Sequence, residues 1–193
     1  MTVAFLSSVN SVHAADTDLR ERIDEFIEAG APGLAFAEET SDADFVRRIY
    51  LDLAGRIPSA DEARQFLADS SPLKRPALVD ALLAGTDYPR RMQELFHVML
   101  MERRGEHDEW TRFLRKAFEQ NLPWHQIASA ILKPDAANED FRGAAFFQTQ
   151  RLVKEGAMAP VDVPGLTRDV GRLFAGIDLQ CAQCHDHLTV DDY

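Results

Sequence analysis

The chain has 193 residues, of which 46% are hydrophobic and 27% are charged, a balance typical of a globular protein with one domain or two small ones. Its 32 acidic residues outnumber its 21 basic residues and give a formal net charge of −11. Because phosphate groups repel an acidic surface, this charge argues against nucleic acid and anionic membranes as partners. It suits a basic protein partner or simple solubility, and solubility is the commoner reason for such a charge. No stretch reaches the roughly 18 consecutive apolar residues of a membrane span.

The N-terminus combines an apolar run at residues 3–6 with the sequence Val12-His13-Ala14, a small-residue pattern of the kind that signal peptidase cuts. The positively charged start of a complete signal is missing, because the first basic residue is Arg20. We interpret residues 1–15 as a partial signal peptide, the alternative being an unstructured terminus. We therefore expect a mature domain over 16–193 that is periplasmic or otherwise exported.

Helical periodicity recurs along the rest of the chain, and no stretch alternates convincingly as a strand does. Apolar spacing, caps and breakers predict helices over about 16–29, 41–54, 59–67, 72–84, 89–104, 108–120, 123–131 and 167–180. The third of these begins with the capping-box pair Ser59 and Glu62. The polar stretch 133–143 and the breaker-rich stretch 155–166 are predicted to lack regular structure. The predicted fold class is all-α, orthogonal or bundle-like, with a last helix that runs directly into the only two cysteines.

These cysteines form the sequence Cys181-Ala182-Gln183-Cys184-His185, which is the pattern of c-type haem attachment. Two thiols three positions apart can each add to one haem vinyl group, and the adjacent histidine is then placed to bind the iron. The sequence therefore predicts one covalent haem c, with thioethers to Cys181 and Cys184 and with His185 as the proximal iron ligand. The predicted attachment segment is 167–193.

The distal iron ligand is less well specified by the sequence. Only eight residues follow His185, so we expect this ligand from upstream, from further C-terminal sequence or from water. Met158 is the upstream candidate, because it lies in a breaker-rich segment near the motif. Other candidates share one predicted helix, where core packing is the commoner role of methionine: Met92, Met99, Met101 and His97.

Two other chemistries use the same residue types. A thioredoxin-like dithiol needs a strand before the first cysteine, whereas a helix is predicted there. Zinc bound by Cys181, Cys184, His185 and His187 would need four ligands within seven residues, a spacing that does not easily form a tetrahedron. The pattern therefore favours haem over both.

Four blocks of the sequence carry a family resemblance: the run 45–59 followed by Glu62, the stretch 74–83, Asn121-Leu122-Pro123-Trp124, and the run 179–187 around the cysteines. Together they resemble the DUF1549 domain of planctomycete cytochrome-like proteins. The resemblance covers about residues 41–193. It implies an exported multi-domain protein with a haem-binding segment, so we expect this chain to be an N-terminal fragment with further domains as partners.

The functional prediction is an exported module that transfers single electrons between one haem iron and an unidentified redox protein, which the charge suggests is basic. No acid–base pair, nucleophile–base pair or phosphate loop accompanies the motif, which favours an electron-transfer or binding module over a stand-alone enzyme. The alternative is a non-enzymatic helical scaffold of a larger carbohydrate-processing protein, in which haem is absent or is completed only by further C-terminal sequence.

Overall fold

The computed structural model describes residues 12–33, 37–102, 104–152 and 162–180, and it divides into one unit over 1–40 and another over 41–193. Within the described ranges there are nine α-helices and no strand, which confirms the all-α prediction. The helices are α1 Val12–Gly30, α2 Asp42–Leu53, α3 Ala60–Ala68, α4 Lys74–Leu83, α5 Asp87–Met101, α6 Asp108–Glu119, α7 Trp124–Leu132, α8 Phe146–Leu152 and α9 Val163–Val170. None of these described helices is long and apolar enough to cross a membrane.

The first unit contributes α1, whose predicted apolar stripe is present but accessible. Ile23, Phe26 and Ile27 repeat at helical spacing, and each is about half exposed or more. An amphipathic helix is stabilised mainly by burial of its apolar face. The stripe therefore has the composition of a packing surface.

The second unit begins with a small hydrophobic cluster formed by α2, α3 and α4. Ser41 caps α2 by accepting a hydrogen bond from the amide of Asp44 at 3.1 Å. The buried members are Val46, Tyr50, Ala54 and Phe66, and apolar side chains of α4 pack against them. The Ser59–Glu62 capping box that starts α3 is confirmed.

A larger hydrophobic core is built by α5 to α8. Its most deeply buried side chains are Trp110, Phe113, Phe147, Met101, Leu114 and Ile131. Full burial of one such side chain stabilises a fold by about 1.5–3 kcal/mol, so this core is the main source of stability in the unit. A turn of 3₁₀-helix, Arg142–Ala145, closes it between α7 and α8, and α9 packs against it through Leu166 and Val170.

Several predicted boundaries were wrong near proline. Helix α4 begins at Lys74 rather than at Pro72, and α5 begins at Asp87, so that Pro89 is its third residue. The first turn of a helix has no intrahelical partner for its amides, and proline is tolerated throughout that turn. A proline therefore locates a helix start only to within a few residues.

One helical segment was not predicted, and another begins four residues earlier than predicted. Helix α8 has seven residues and follows the 3₁₀-turn directly, and it is too short to show a clear period. Helix α9 begins at Val163, inside the stretch that was predicted to be irregular. Asp162 caps it by accepting from the amide of Gly165 at 3.1 Å, and Pro164 is accommodated in the first turn.

Candidate functional site

The predicted haem ligands Cys181, Cys184 and His185 lie outside the described residues, as do Met158 and His187. The structure does describe the polypeptide up to Gln180, the residue that immediately precedes Cys181. It also describes the side chains that surround this last segment.

The segment before Cys181 is not a continuous helix. After α9, one turn of π-helix, Gly171–Ala175, ends at Gly176, whose φ of 66° lies in the left-handed region that glycine adopts without strain. The amide of Ile177 then donates to the carbonyl of Gly171 at 3.0 Å. The prediction of a helix running directly into Cys181 was wrong, because five non-helical residues, 176–180, lie between them.

This turn folds the chain back on itself. A Cβ atom on Gly171 would lie 2.8 Å from the Cδ1 of Leu179, so the leucine packs directly on the glycine backbone. Gly171 is buried, whereas Ile177 is exposed. The last described residues before Cys181 thus lie against the helical turn that precedes them.

A group of charged side chains, which we call the arginine cluster, lies on and beside this turn. It consists of Arg104, Arg151, Arg168 and Arg172 with the carboxylates of Glu102 and Asp169. Asp169 is 4% exposed, and its carboxylate is shared by three guanidinium groups. They approach it at 3.0 Å from Arg151, 3.0 Å from Arg104 and 3.5 Å from Arg168.

The second carboxylate of the cluster pairs with the outer arginines. Glu102 binds Arg172 directly and lies 3.7 Å from Arg104. The contact with Glu102 raises the pKa of Arg172, and the nearby carboxylate of Asp178 raises it further. Among the described side chains, four cations thus meet two carboxylates in contact and a third close by, so the described part of the cluster has more positive than negative groups.

Arg151 is the buried member of the cluster, with 1% of its side chain exposed. Burial lowers its pKa, and repulsion from Arg104 acts in the same direction. It donates to the backbone carbonyl of Leu100 at 2.5 Å and to that of Phe147 at 3.1 Å, and its guanidinium lies 3.8 Å from the Phe147 ring centre. These contacts join α8, α9 and the end of α5, and they leave the outer arginines to face solvent.

Aromatic rings adjoin the same turn. The Trp124 ring, at the start of α7, stacks on Phe174 with 6.1 Å between ring centres and 12° between planes. Phe174 in turn meets the buried Phe147 edge-on at 5.6 Å. Trp124 is 47% exposed, so an aromatic face reaches solvent next to the segment that leads to Cys181.

The described candidates for the distal iron ligand differ in availability. Met101 is fully buried and lies 3.8 Å from an Arg151 nitrogen, which assigns it to the core, whereas Met99 is 58% exposed. His97 accepts a hydrogen bond at Nδ1 from the indole nitrogen of Trp110 at 3.1 Å. An indole only donates, so the neutral imidazole carries its proton on Nε2 and offers no lone pair there. His97 is therefore occupied as an acceptor inside the fold.

Within 21–33, 37–102, 104–152 and 162–180, no three His, Cys, Asp or Glu side chains come together in a way that could hold a metal ion.

The block over 45–59, which carried much of the family resemblance, forms a structural clamp. The Arg56 guanidinium binds both oxygens of Glu62 at 2.8 Å, binds Asp87 at 3.0 Å and lies 5.0 Å from the Tyr50 ring centre. The same Glu62 accepts from the amide of Ser59 at 2.7 Å. The hydrogen bonds from Arg56 lower the pKa of Glu62 well below its usual range.

One protein family matches most of the chain. The family model described as "PSCyt2: Protein of unknown function (DUF1549)" matches residues 22–192. The chain belongs to the DUF1549 family. The match begins about twenty residues earlier than the resemblance read from the sequence blocks, and it therefore includes the second half of α1 in the DUF1549 region. No curated protein and no solved structure matches the chain.

Sequence reasoning missed the arginine cluster of this DUF1549 chain. Asp169 lies on the apolar face of α9, three residues after Leu166 and one before Val170. Arg151 similarly follows the buried Phe147 at a spacing of one turn. A charge at a core position is the local signal that could have identified each residue, but their pairing depends on tertiary contacts.

Proposed function

We propose that this DUF1549 chain is an exported c-type cytochrome module that binds one haem covalently and transfers single electrons. The observation that carries the proposal is the sequence Cys181-Ala182-Gln183-Cys184-His185 inside the matched region, in a family whose short name, PSCyt2, refers to cytochromes. Cys181 and Cys184 would form the thioethers, and His185 would be the proximal ligand. Met158 stays the candidate distal ligand.

The donor set fits a c-type haem better than it fits other groups. Thioether attachment needs two thiols at this spacing and one adjacent imidazole, all of which the motif supplies. When bound, the haem supplies one-electron chemistry, as its iron alternates between the ferrous and ferric states. The fold, for its part, provides an ordered approach at 176–180 and an exposed aromatic face beside it, Trp124 stacked on Phe174.

The first test is covalent haem attachment. The chain is expressed with an export signal and the cytochrome c maturation machinery, and it is run on a denaturing gel that is stained for haem peroxidase activity. We expect a stained band that survives denaturation and disappears in the Cys181→Ala/Cys184→Ala variant. A soluble helical protein without stain would refute haem attachment.

A matched pair of histidine variants tests the iron ligand. His185→Ala is expected to change the absorption bands of the ferrous and ferric protein, because the proximal imidazole is lost. His125→Ala is the control, since His125 is exposed on α7. Identical spectra for wild type and His185→Ala would contradict the ligand assignment even if haem is attached.

The accessible apolar stripe of α1 favours a second candidate, a helical scaffold that docks another domain or protein. Ile23, Phe26 and Ile27 would supply the contact, because exposed apolar side chains at helical spacing are a common interaction surface. The gel test separates the two candidates, since a scaffold requires no haem.

A further inference from the structure

We propose that α1 docks a partner protein by binding a basic amphipathic helix of that partner. The apolar stripe of α1, formed by Ile23, Phe26 and Ile27, packs against the apolar face of the partner helix. The acidic side of α1 pairs with the lysine or arginine side chains of the partner. This inference rests on the docking role proposed above for α1, and it does not depend on haem attachment.

The apolar stripe is the first argument. Ile23 and Ile27 are 48% and 53% exposed, and Phe26 is 72% exposed. At about 3.6 residues per turn, positions i, i+3 and i+4 share one face of a helix, so the three side chains form a continuous apolar patch. Helices that dock on a partner protein present anchors at these spacings.

The charges of α1 are the second argument. Four exposed carboxylates, which we call the acidic ladder, each lie three or four positions from two others: Glu21, Asp24, Glu25 and Glu28. Residues at these spacings are neighbours on a helix surface, and like charges there destabilise the helix. Arg22 is the single basic residue in the segment 21–30. Cations of a partner therefore relieve a repulsion that the free helix carries.

The C-terminal turn of α1 supplies the third argument. The carbonyl end of a helix carries a partial negative charge, which a lysine or arginine in the last turn offsets. The last turn of α1 has no basic residue and contains Glu28 instead. A cation from a partner is favourable at this end too, so the helix end and the acidic ladder select the same charge.

The same charges disfavour a second copy of this chain as the occupant. Asp24 is three positions before Ile27 and borders the apolar stripe. Two α1 helices packed stripe to stripe would therefore bring acidic edges together, in a chain whose net charge is −11. A basic helix covers the stripe and neutralises its edge at once, which is the complementarity that selects one partner over another.

The test uses the full chain and three fluorescent peptides of the 12–30 sequence, with binding followed by fluorescence anisotropy. The first peptide keeps the stripe and reverses the ladder with Glu21→Lys, Asp24→Lys, Glu25→Lys and Glu28→Lys. The second has these changes and also replaces the three stripe residues by alanine, and the third is the unchanged acidic sequence. We expect saturable binding of the first peptide and binding at least about tenfold weaker for the other two. Raising the salt from about 50 mM to about 500 mM is expected to weaken the first peptide several-fold.

Variants of the chain locate the binding surface. Ile23→Ala/Phe26→Ala/Ile27→Ala removes the stripe while alanine preserves the helix, and it is expected to weaken the first peptide at least about tenfold. Leu73→Ala/Val98→Ala is the matched control, because these apolar side chains outside α1 are 67% and 66% exposed. The control is expected to bind as the wild type does.

A second variant tests the charges alone. Asp24→Asn/Glu28→Gln keeps the stripe and removes two carboxylates of the ladder. It is expected to bind the first peptide more weakly at low salt and to show a smaller salt dependence than the wild type.

Binding that requires both the stripe and the ladder supports the inference. Binding that the stripe variant retains would reflect charge alone and would overturn it, as would a monomeric chain that binds none of the peptides. A dimer of the free chain that dissociates in the stripe variant would also overturn it and would assign the stripe to a second copy. The haem stain is read separately, so haem attached to a chain that binds no peptide removes the docking role and leaves the cytochrome function.

Discussion

At the residue scale, the guanidinium of Arg56 joins three helices of the second unit. It binds Glu62 on α3 and Asp87 on α5, and it lies over the Tyr50 ring on α2. The Glu62 carboxylate binds Arg56 and is also the acceptor of the capping box that starts α3. The block over 45–59 with Glu62, one of the blocks that carry the family resemblance, therefore holds helices of this unit together.

Replacing Glu62 separates its two roles. Glu62→Gln keeps a capping acceptor but loses the ion pair with Arg56, and we expect a loss of about 0.5–1 kcal/mol in unfolding free energy at pH 7. Glu62→Ala loses both roles and is expected to cost about 1–2 kcal/mol. Urea denaturation measures both values.

The acid dependence of stability follows from the lowered pKa of Glu62. A carboxyl whose pKa is lower in the folded state stabilises the protein above its unfolded pKa, roughly 4.3 for glutamate, and loses that contribution as the pH falls toward the folded value. The free energy of unfolding of the wild type should therefore exceed that of Glu62→Gln by less and less as the pH falls below about 4.3. Glu119→Gln, on the exposed side of α6, is the control. If the difference in unfolding free energy between wild type and Glu62→Gln is unchanged down to pH 2.5, the ion-pair role is contradicted.

At the scale of elements, the close approach of the 3₁₀-turn to α6 depends on one glycine. A Cβ atom on Gly143 would collide with the backbone carbonyl of Glu109 at the start of α6. Arg142 of the same turn binds the Glu109 carboxylate at 2.5 Å. The turn closes the large core between α7 and α8. The missing side chain at Gly143 therefore allows the turn to pack closely against α6.

Gly143→Ala is therefore expected to destabilise the second unit by about 1–3 kcal/mol, because the obstacle is backbone rather than a flexible side chain. Gly30→Ala is the matched control, since no atom lies within 4 Å of a Cβ there, and alanine favours helix. Chemical denaturation compares the two substitutions. Equal stability of the two variants would show that the turn can move away from α6.

At the scale of the whole molecule, all buried members of the two hydrophobic clusters lie between Val46 and Phe147. They belong to the second unit. The charged clamp around Arg56 and the arginine cluster lie in that unit as well. The residues that stabilise the described fold are therefore concentrated after residue 41.

Removal of residues 1–40 is expected to leave a chain over 41–193 that unfolds in one cooperative transition at about the midpoint of the complete chain. Removal of residues 1–68 deletes Val46, Tyr50 and Phe66 and is expected to expose the apolar side of α4, with loss of cooperativity. Thermal unfolding followed by circular dichroism measures both. A large loss of stability in the 41–193 chain would show that the first unit contributes to folding of the second.

Local signals in the sequence determined the fold class and predicted the chemistry of the motif. Helical periodicity, the Ser41 cap and the Ser59–Glu62 capping box each operate within one or two turns, so a single segment contains the whole signal. The haem prediction rests on the same kind of short pattern, since Cys181, Cys184 and His185 are neighbours in the chain.

Only the tertiary structure decided where charges are buried and how the chain approaches the motif. Arg151 pairs with Asp169 across 18 residues and reaches the Leu100 carbonyl across 51, and no local pattern contains those separations. The helix also ends at Gly176, and Leu179 then packs against Gly171. A helical period records which face of a segment is apolar, but the partner that covers this face is set by the packing of distant elements.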